Sequence, residues 1–246
     1  MSISTPADRL FGSRVVVIGA GSGIGKAIAH SLAKAGADLL LAGRDPGALE
    51  RTAVELAPYA GSVDTQPVDL AEEGSVTGLA LRAGRVDHVI STASAAANGP
   101  VSTMDFTAVR TALAAKVIGP LLLAKHLAER IDPAGSMLFF SGVIAWRPAP
   151  GRSVMAATNG ALAHLVEALA LELAPVRVNA ISPGIVDSGA WDALPDKDGF
   201  LAGVAAKNPA RRVGTPADLA EAALFTLTNR FVTGSVVHVD GGGRLA

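Results

Sequence analysis

Short apolar runs alternate with helix-length stretches along the whole chain, and this pattern limits the fold more than any other feature. Arg14–Gly19 (RVVVIG), Ala37–Ala42 (ADLLLA), Ser62–Val68, Val86–Thr92 (VDHVIST), Ser136–Phe140, Val176–Ile181 and Val236–Val239 read as strands. Helices are expected over Gly23–Ala35, Pro46–Ala57, Ala71–Ala83, Asp105–Arg130 and Ser153–Leu173. Pro216–Leu227 adds one with a complete start: Thr215 as N-cap, Pro216 in the first position and Asp218 in the first turn. Strands and helices in this order make right-handed βαβ units, and so a parallel sheet covered on both faces. No linker or further repeat interrupts residues 1–246, which read as a single doubly wound α/β domain.

Composition removes several chemistries. The absence of cysteine excludes disulfides, thiol nucleophiles and thiolate metal sites. Lys and Arg number 21 against 22 Asp and Glu, so no polyanion-binding face and no nucleic-acid partner is expected. His30, His88, His126, His164 and His238 form no HExxH or close cluster, so no metal is expected. The N-terminal stretch MSISTPADRLFGSR lacks the basic and apolar regions of a secretory signal. No apolar run is read as reaching the ~18–20 residues of a membrane span. A mean hydropathy of +0.39 is therefore assigned to a buried sheet, with a cytoplasmic location and no membrane association expected.

The sharpest local signal is Gly19-Ala20-Gly21-Ser22-Gly23-Ile24-Gly25, which ends a strand and opens a helix. Such a turn lets backbone approach a pyrophosphate while free N–H groups at the helix start supply donors. Gly19, Ser22, Gly23, Ile24 and Gly25 are candidate cofactor contacts. There is no P-loop Gly-Lys-Ser/Thr, which argues against phosphoryl transfer from ATP. The second strand ends Ala42-Gly43-Arg44-Asp45. A carboxylate at Arg44 would hold the ribose hydroxyls of NAD, whereas a guanidinium can pair with a 2′-phosphate, so NADP(H) is preferred over NAD(H). Arg44 can equally be a solvated loop charge or a partner for Asp45. Asp69 can accept from an adenine amino group or cap the helix expected from Ala71. Leu70 and Ala93 complete the expected cofactor wall.

Further along, Val178-Asn179-Ala180-Ile181-Ser182-Pro183-Gly184, Arg212 to Ala220, and Gly234-Ser235 with Val239-Asp240-Gly241-Gly242 join the glycine cluster in a pattern that resembles the classical short-chain dehydrogenase/reductase family over essentially the whole chain. The resemblance implies a Rossmann-type sheet of seven strands in the order 3-2-1-4-5-6-7. It places Pro183 and Gly184 beside the nicotinamide, Val186 in the following backbone, and Ser188 where a threonine often touches the carboxamide. It also implies a homo-oligomer, a tetramer before a dimer, built from the two long helices and the C-terminal strand.

At the catalytic positions the chain departs from that family, which usually presents Asn, Ser, Tyr and Lys. Here Lys116 stands for the Asn and Gly142 for the Ser, while Met155 and Asn159 replace the Tyr and Lys. The strand-four NNAG motif reads Ser91-Thr92-Ala93-Ser94. Tyr59, the single tyrosine, precedes strand three and lies far from the expected site in sequence. Met155 has no dissociable proton, so ordinary carbonyl reduction would lose the ~10²–10⁴-fold gain of a positioned acid unless another group supplies it. Lys116 is the preferred substitute; it can instead simply hydrogen-bond backbone at a helix irregularity. Asn159 can hold ribose hydroxyls as a neutral group. Gly142, Met155, Trp146 and Trp191 are candidate pocket residues, with Asn98 and Arg147 near its mouth, and about 187–212 is the expected substrate loop. The reading is an NADP(H)-preferring oxidoreductase acting on a small apolar carbonyl, imine or activated alkene; the alternatives are a catalytically retired nucleotide-binding or regulatory protein and a non-redox enzyme on the same scaffold.

Overall fold

A computed structural model describes residues 9–246; positions 1–8 of the segment read for a leader lie outside the described residues. Seven parallel strands, β1 (Arg14–Ile18), β2 (Asp38–Gly43), β3 (Val63–Pro67), β4 (Val86–Ser91), β5 (Ile131–Phe140), β6 (Arg177–Pro183) and β7 (Val236–Val239), form one sheet in the order β3-β2-β1-β4-β5-β6-β7. The expected doubly wound, Rossmann-type architecture is thus present.

The strands are apolar on both sides because both sides are covered. Val16 and Ile18 of β1 face a core shared with α3 (Glu73–Ala83), α5 (Gly119–Leu127) and α6 (Ser153–Glu172). Val15 and Val17 face the opposite core, shared with α1 (Gly23–Lys34), α2 (Pro46–Leu56) and α8 (Pro216–Thr228). Leu32, Leu39, Leu79 and Leu123 are among the fully buried side chains, each contributing about 1.5–3 kcal/mol by leaving water.

Several boundaries differ from expectation. The helix expected from Ala71 begins at Glu73, because Asp69 Oδ1 takes the Ala71 N–H at 2.9 Å in a local turn first. β5 starts five residues early, and an irregularity between Val86 and His88 lets Asp132–Ala134 bulge into solvent. α7 (Lys197–Lys207) occupies the stretch read as turn-rich; its start is capped by Asp196, which accepts the Gly199 N–H at 2.9 Å. The single helix expected over Asp105–Arg130 is α4 (Phe106–Leu113), a π-helical turn at Ala114–Ile118, and α5, ending in a 3₁₀ turn. Gly119 makes that break fit: a Cβ there would stand 2.8 Å from Ala114 O and 2.9 Å from Leu70 Cβ.

One expectation about membranes is corrected. Phe106–Arg130 and Ser153–Glu172 are each long and apolar enough to cross a bilayer by length and composition. Both instead lie on the sheet, with Leu123, Leu127, Leu162 and Val166 in its core.

Candidate functional site

The candidate cofactor residues gather at the carboxyl ends of the strands, where such sheets open a crevice. Gly19 leaves β1 with φ +89°, donating its N–H to Ala42 O at 2.8 Å. A Cβ on Gly25 would stand 2.1 Å from Gly19 O and 2.7 Å from Thr92 Oγ1. Neither obstacle can yield cheaply, because Thr92 ties the end of β4 to β1: its N–H and hydroxyl both donate to Ile18 O, at 3.0 and 3.1 Å. Thr92 thus braces the turn, a role sequence reasoning missed; the only signal was its place in the diverged Ser91–Ser94 segment.

Ser22, the N-cap of α1, is extended and its side chain caps nothing, and the first turn of α1 carries no acidic residue. The first N–H groups of the helix and the Ser22 hydroxyl therefore suit an anion. Ile24 packs on the α1–α8 core, leaving the turn itself clear. Arg44 is exposed at the end of β2 with no ion pair among the described residues. Asp45 is not its partner: it caps α2, accepting the Ala48 N–H at 3.1 Å. Asp69 stands exposed at the end of β3, while Leu70 is buried and Ala93 half-buried against the core, so their side chains support the wall rather than reach into the crevice.

At β6, the Gly184 N–H donates to Val239 O at 3.0 Å, fixing the Pro183–Gly184 turn to β7. Val186 bridges Gly214, and the Ser188 N–H returns to Val186 O at 3.0 Å. Ser188 then meets the glycine turn, its carbonyl 3.0 Å from where a Gly23 Cβ would be. The structure brings the two halves of the expected dinucleotide site together, and the residues fit such a group: a glycine-rich turn, an uncapped helix start and a guanidinium with no ion pair among the described residues.

The expected substrate loop, about 187–212, is held at three places. Trp191 Nε1 donates to Val186 O at 3.0 Å, and its ring lies 4.9 Å from that of Phe200. Lys197 pairs with Asp187 and Asp192 at 2.8 and 2.7 Å, and Arg212 makes a two-pronged pair with Asp218 at 2.6 and 2.7 Å. The Arg212 guanidinium holds the Asp218 carboxyl well below the usual carboxylate range.

The residues expected at the family's catalytic positions, Lys116, Gly142, Met155 and Asn159, gather near the end of β5. Met155 and Asn159 lie one turn apart on α6; Asn159 Nδ2 donates to Met155 O at 2.7 Å. Asn159 Oδ1 is buried without a partner and would stand 3.4 Å from a Cβ on Gly142. Ser141 Oγ donates to Asn159 O at 2.9 Å. Lys116 sits in the π turn, 3% exposed, and donates from Nζ to Phe140 O at 2.5 Å. It has no carboxylate partner among the described residues, and burial pushes its pKa down to about 8. Tyr59 is exposed beyond α2, which runs back toward the amino ends of the strands, so it does not reach this cluster. Trp146 stacks edge-on to His238 of β7 at 4.6 Å, and Arg147 donates to Gly243 O at 3.0 Å, tying the β5–α6 loop to the C-terminal turn.

Comparison with known proteins agrees with this geometry. The family model described as enoyl-(acyl carrier protein) reductase matches residues 19–243. An uncharacterized oxidoreductase, MT0954 of Mycobacterium tuberculosis (strain CDC 1551 / Oshkosh), is 32% identical over 249 residues, covering 95% of this chain and 93% of its own. Among solved structures, the MalC reductase/Diels-Alderase of Malbranchea aurantiaca superposes with a TM-score of 0.92 at 28% identity, covering 98% of this chain and all of that one. L-sorbose reductase of Gluconobacter frateurii, solved with NADPH and L-sorbose, gives 0.88 at 27% identity over 95% and 97% of the two chains. With that match over nearly its full length and the expected strand order, the chain belongs to the short-chain dehydrogenase/reductase family of NAD(P)-dependent oxidoreductases.

Proposed function

We propose that this protein is an NADP(H)-preferring oxidoreductase that passes hydride to or from a small apolar carbonyl, imine or activated alkene without a catalytic tyrosine. One observation supports the reading: the glycine turn is kept free of side-chain obstruction at Gly19 and Gly25, while Met155, which has no proton to give, stands at the position the resemblance assigns to the proton donor. Bound NADPH supplies the hydride. Arg44 favours the 2′-phosphate, the Gly19–Gly25 turn holds the pyrophosphate, and Pro183, Gly184, Val186 and Ser188 orient the nicotinamide. Asn159 Oδ1 accepts from a ribose hydroxyl, which gives that buried oxygen the partner it lacks in the chain alone. Gly142 and Met155 leave apolar room for substrate, with Trp191 and Trp146 on its flanks. Lys116 Nζ holds a proton at the end of β5, and with a pKa near 8 it can release it at neutral pH.

A cationic iminium accepts hydride with no proton at all, so it makes the least demand on this site. The experiment compares NADPH oxidation with a ketone, a preformed cyclic iminium and an activated alkene, in wild type and Lys116→Ala. Iminium turnover unchanged by the substitution, with ketone turnover lost, is the expected result. Unchanged ketone turnover removes Lys116 as the acid; tight NADPH binding without turnover in any arm supports the retired, nucleotide-binding alternative.

The assembly we propose is a homotetramer in the cytoplasm. Phe106, Leu113, Ile118 and Leu121 leave an exposed apolar line along α4 and α5, and Phe231 is fully exposed near β7, surfaces that a second copy would cover.

A further inference from the structure

The chain between β6 and α8 leaves the sheet and returns to it at one point. Val186 bridges Gly214, the Asp187 N–H donates to Gly214 O at 3.0 Å, and the Gly214 N–H donates to Ile185 O at 2.9 Å. The returning limb is fixed as well: the Ala210 N–H donates to Gly241 O at 3.0 Å, and Asn208 is buried with its Nδ2 on Arg212 O at 2.9 Å. Between these supports, residues 189–207 form a flap that adds nothing to either core. α7 has no buried residue, and neither apolar cluster takes a side chain from the flap. An element with so little burial belongs to the low-stability end of a structure, where lids are found.

Two polar side-chain contacts among the described residues tie the flap back across its root at Gly189, where φ is +89°. Trp191 Nε1 donates to Val186 O at 3.0 Å, and Lys197 Nζ pairs with Asp187 Oδ1 at 2.8 Å. The pair of Lys197 with Asp192, at 2.7 Å, lies wholly within the flap. Hydrogen bonding to Asp187, then to Asp192, raises the Lys197 pKa above the ordinary lysine value, so the ammonium stays charged at physiological pH. Lys197 and Asp187 are 29% and 42% exposed, so salt reaches their pair, and an exposed pair shifts an equilibrium only several-fold. Such a contact can hold and still open. The root stands against the glycine turn, with Ser188 O 3.0 Å from where a Gly23 Cβ would be.

We propose that Asp187 and Lys197 are a charge latch that holds this flap shut over the dinucleotide end of the crevice, so that cofactor enters and leaves when the pair parts. Only the identity of the ligand that passes rests on the cofactor reading above; the latch belongs to the chain alone.

The Trp191 indole N–H reports opening, because it is shielded from solvent deuterium while bonded to Val186 O. NMR follows its exchange in the full chain, with Trp191→Phe to assign the signal. Lys197→Gln and Asp187→Asn should each speed exchange about fivefold, and the double variant no further. Asp192→Asn, which breaks only the pair inside the flap, should leave the rate unchanged. Raising NaCl to about 1 M should speed the wild type by the same factor and Lys197→Gln not at all. Stopped-flow mixing with NADPH should show faster association and release in both latch variants. Equal exchange in wild type and Lys197→Gln, an equal effect of Asp192→Asn, or a salt effect that survives Lys197→Gln overturns the latch. Faster exchange with unchanged NADPH rates overturns its role as a gate. Absence of NADPH binding in the wild type itself counts against the cofactor reading, and the exchange rates then decide the latch by themselves.

Discussion

The two ends of the reaction crevice are built from different materials. Around Gly19–Gly25 the requirement falls on backbone: carbonyls and N–H groups occupy the space, and a single Cβ would collide with Gly19 O or the Thr92 brace. At the end of β5 the requirement falls on side chains, and there Met155, Asn159 and Gly142 stand where the resemblance leads one to expect the tyrosine, lysine and serine of the family. Backbone geometry cannot be exchanged piecemeal without loss of the fold, whereas a side chain can change while its helix stays put. That is why one end can keep its pattern as the other diverges.

The contrast can be broken first at the glycine turn. Gly25→Val should cost about 4 kcal/mol of native-state or cofactor-bound stability, near a thousandfold in NADPH affinity or in the folding constant. Thermal melts with and without NADPH check it, and an unchanged melt and affinity would contradict a turn fixed by sterics. Next in size is restoration of the other end. The triple change Gly142→Ser, Met155→Tyr and Asn159→Lys should raise ketone reduction by ~10²–10⁴-fold, provided the cofactor end still works. No gain, with NADPH still bound, would show that the scaffold as well as its side chains has moved on.

A smaller effect is written in Lys116. Its folded pKa of about 8 lies below the ordinary 10.5, so between those values the unfolded chain binds more protons and stability rises with pH. The rise should total about 3 kcal/mol, and Lys116→Met should flatten it in denaturant titrations made across that range. A wild-type curve already flat there would mean that Lys116 is not held in a desolvated site. Smallest is Arg44→Gln, expected to lower the preference for NADP⁺ over NAD⁺ about tenfold by paired binding titrations.

The strands and the cofactor turn were legible because their signals are local: apolar runs of strand length and a glycine cluster at a strand–helix junction. The elements that were not legible depend on distant partners. A helix irregularity at Lys116 with a backbone hydrogen bond was among the readings, and the structure has both; that the irregularity is a π turn depends on distant partners, with Leu70 closing on Gly119 and Phe140 O accepting from the Lys116 ammonium. α7 was obscured by Gly199 and Gly203, poor helix formers outweighed by the Asp196 cap. The residues expected at the four catalytic positions were named from spacing and resemblance. The burial of Lys116 and Asn159, and the orphaned Asn159 oxygen, required the neighbours.

The π turn also has a consequence for insertions and deletions. It stores one residue more than a regular helix would need, so removing a residue between Ala114 and Ile118 offers the chain a route to a continuous α-helix rather than to unfolding. Along that route α5 would keep its angular phase relative to α4, and the change would fall on the contacts made within the turn, above all that of Lys116 with Phe140 O. The π turn thus confines the effect of such a deletion to the reaction end of the crevice and leaves the packing surface of α5 in register.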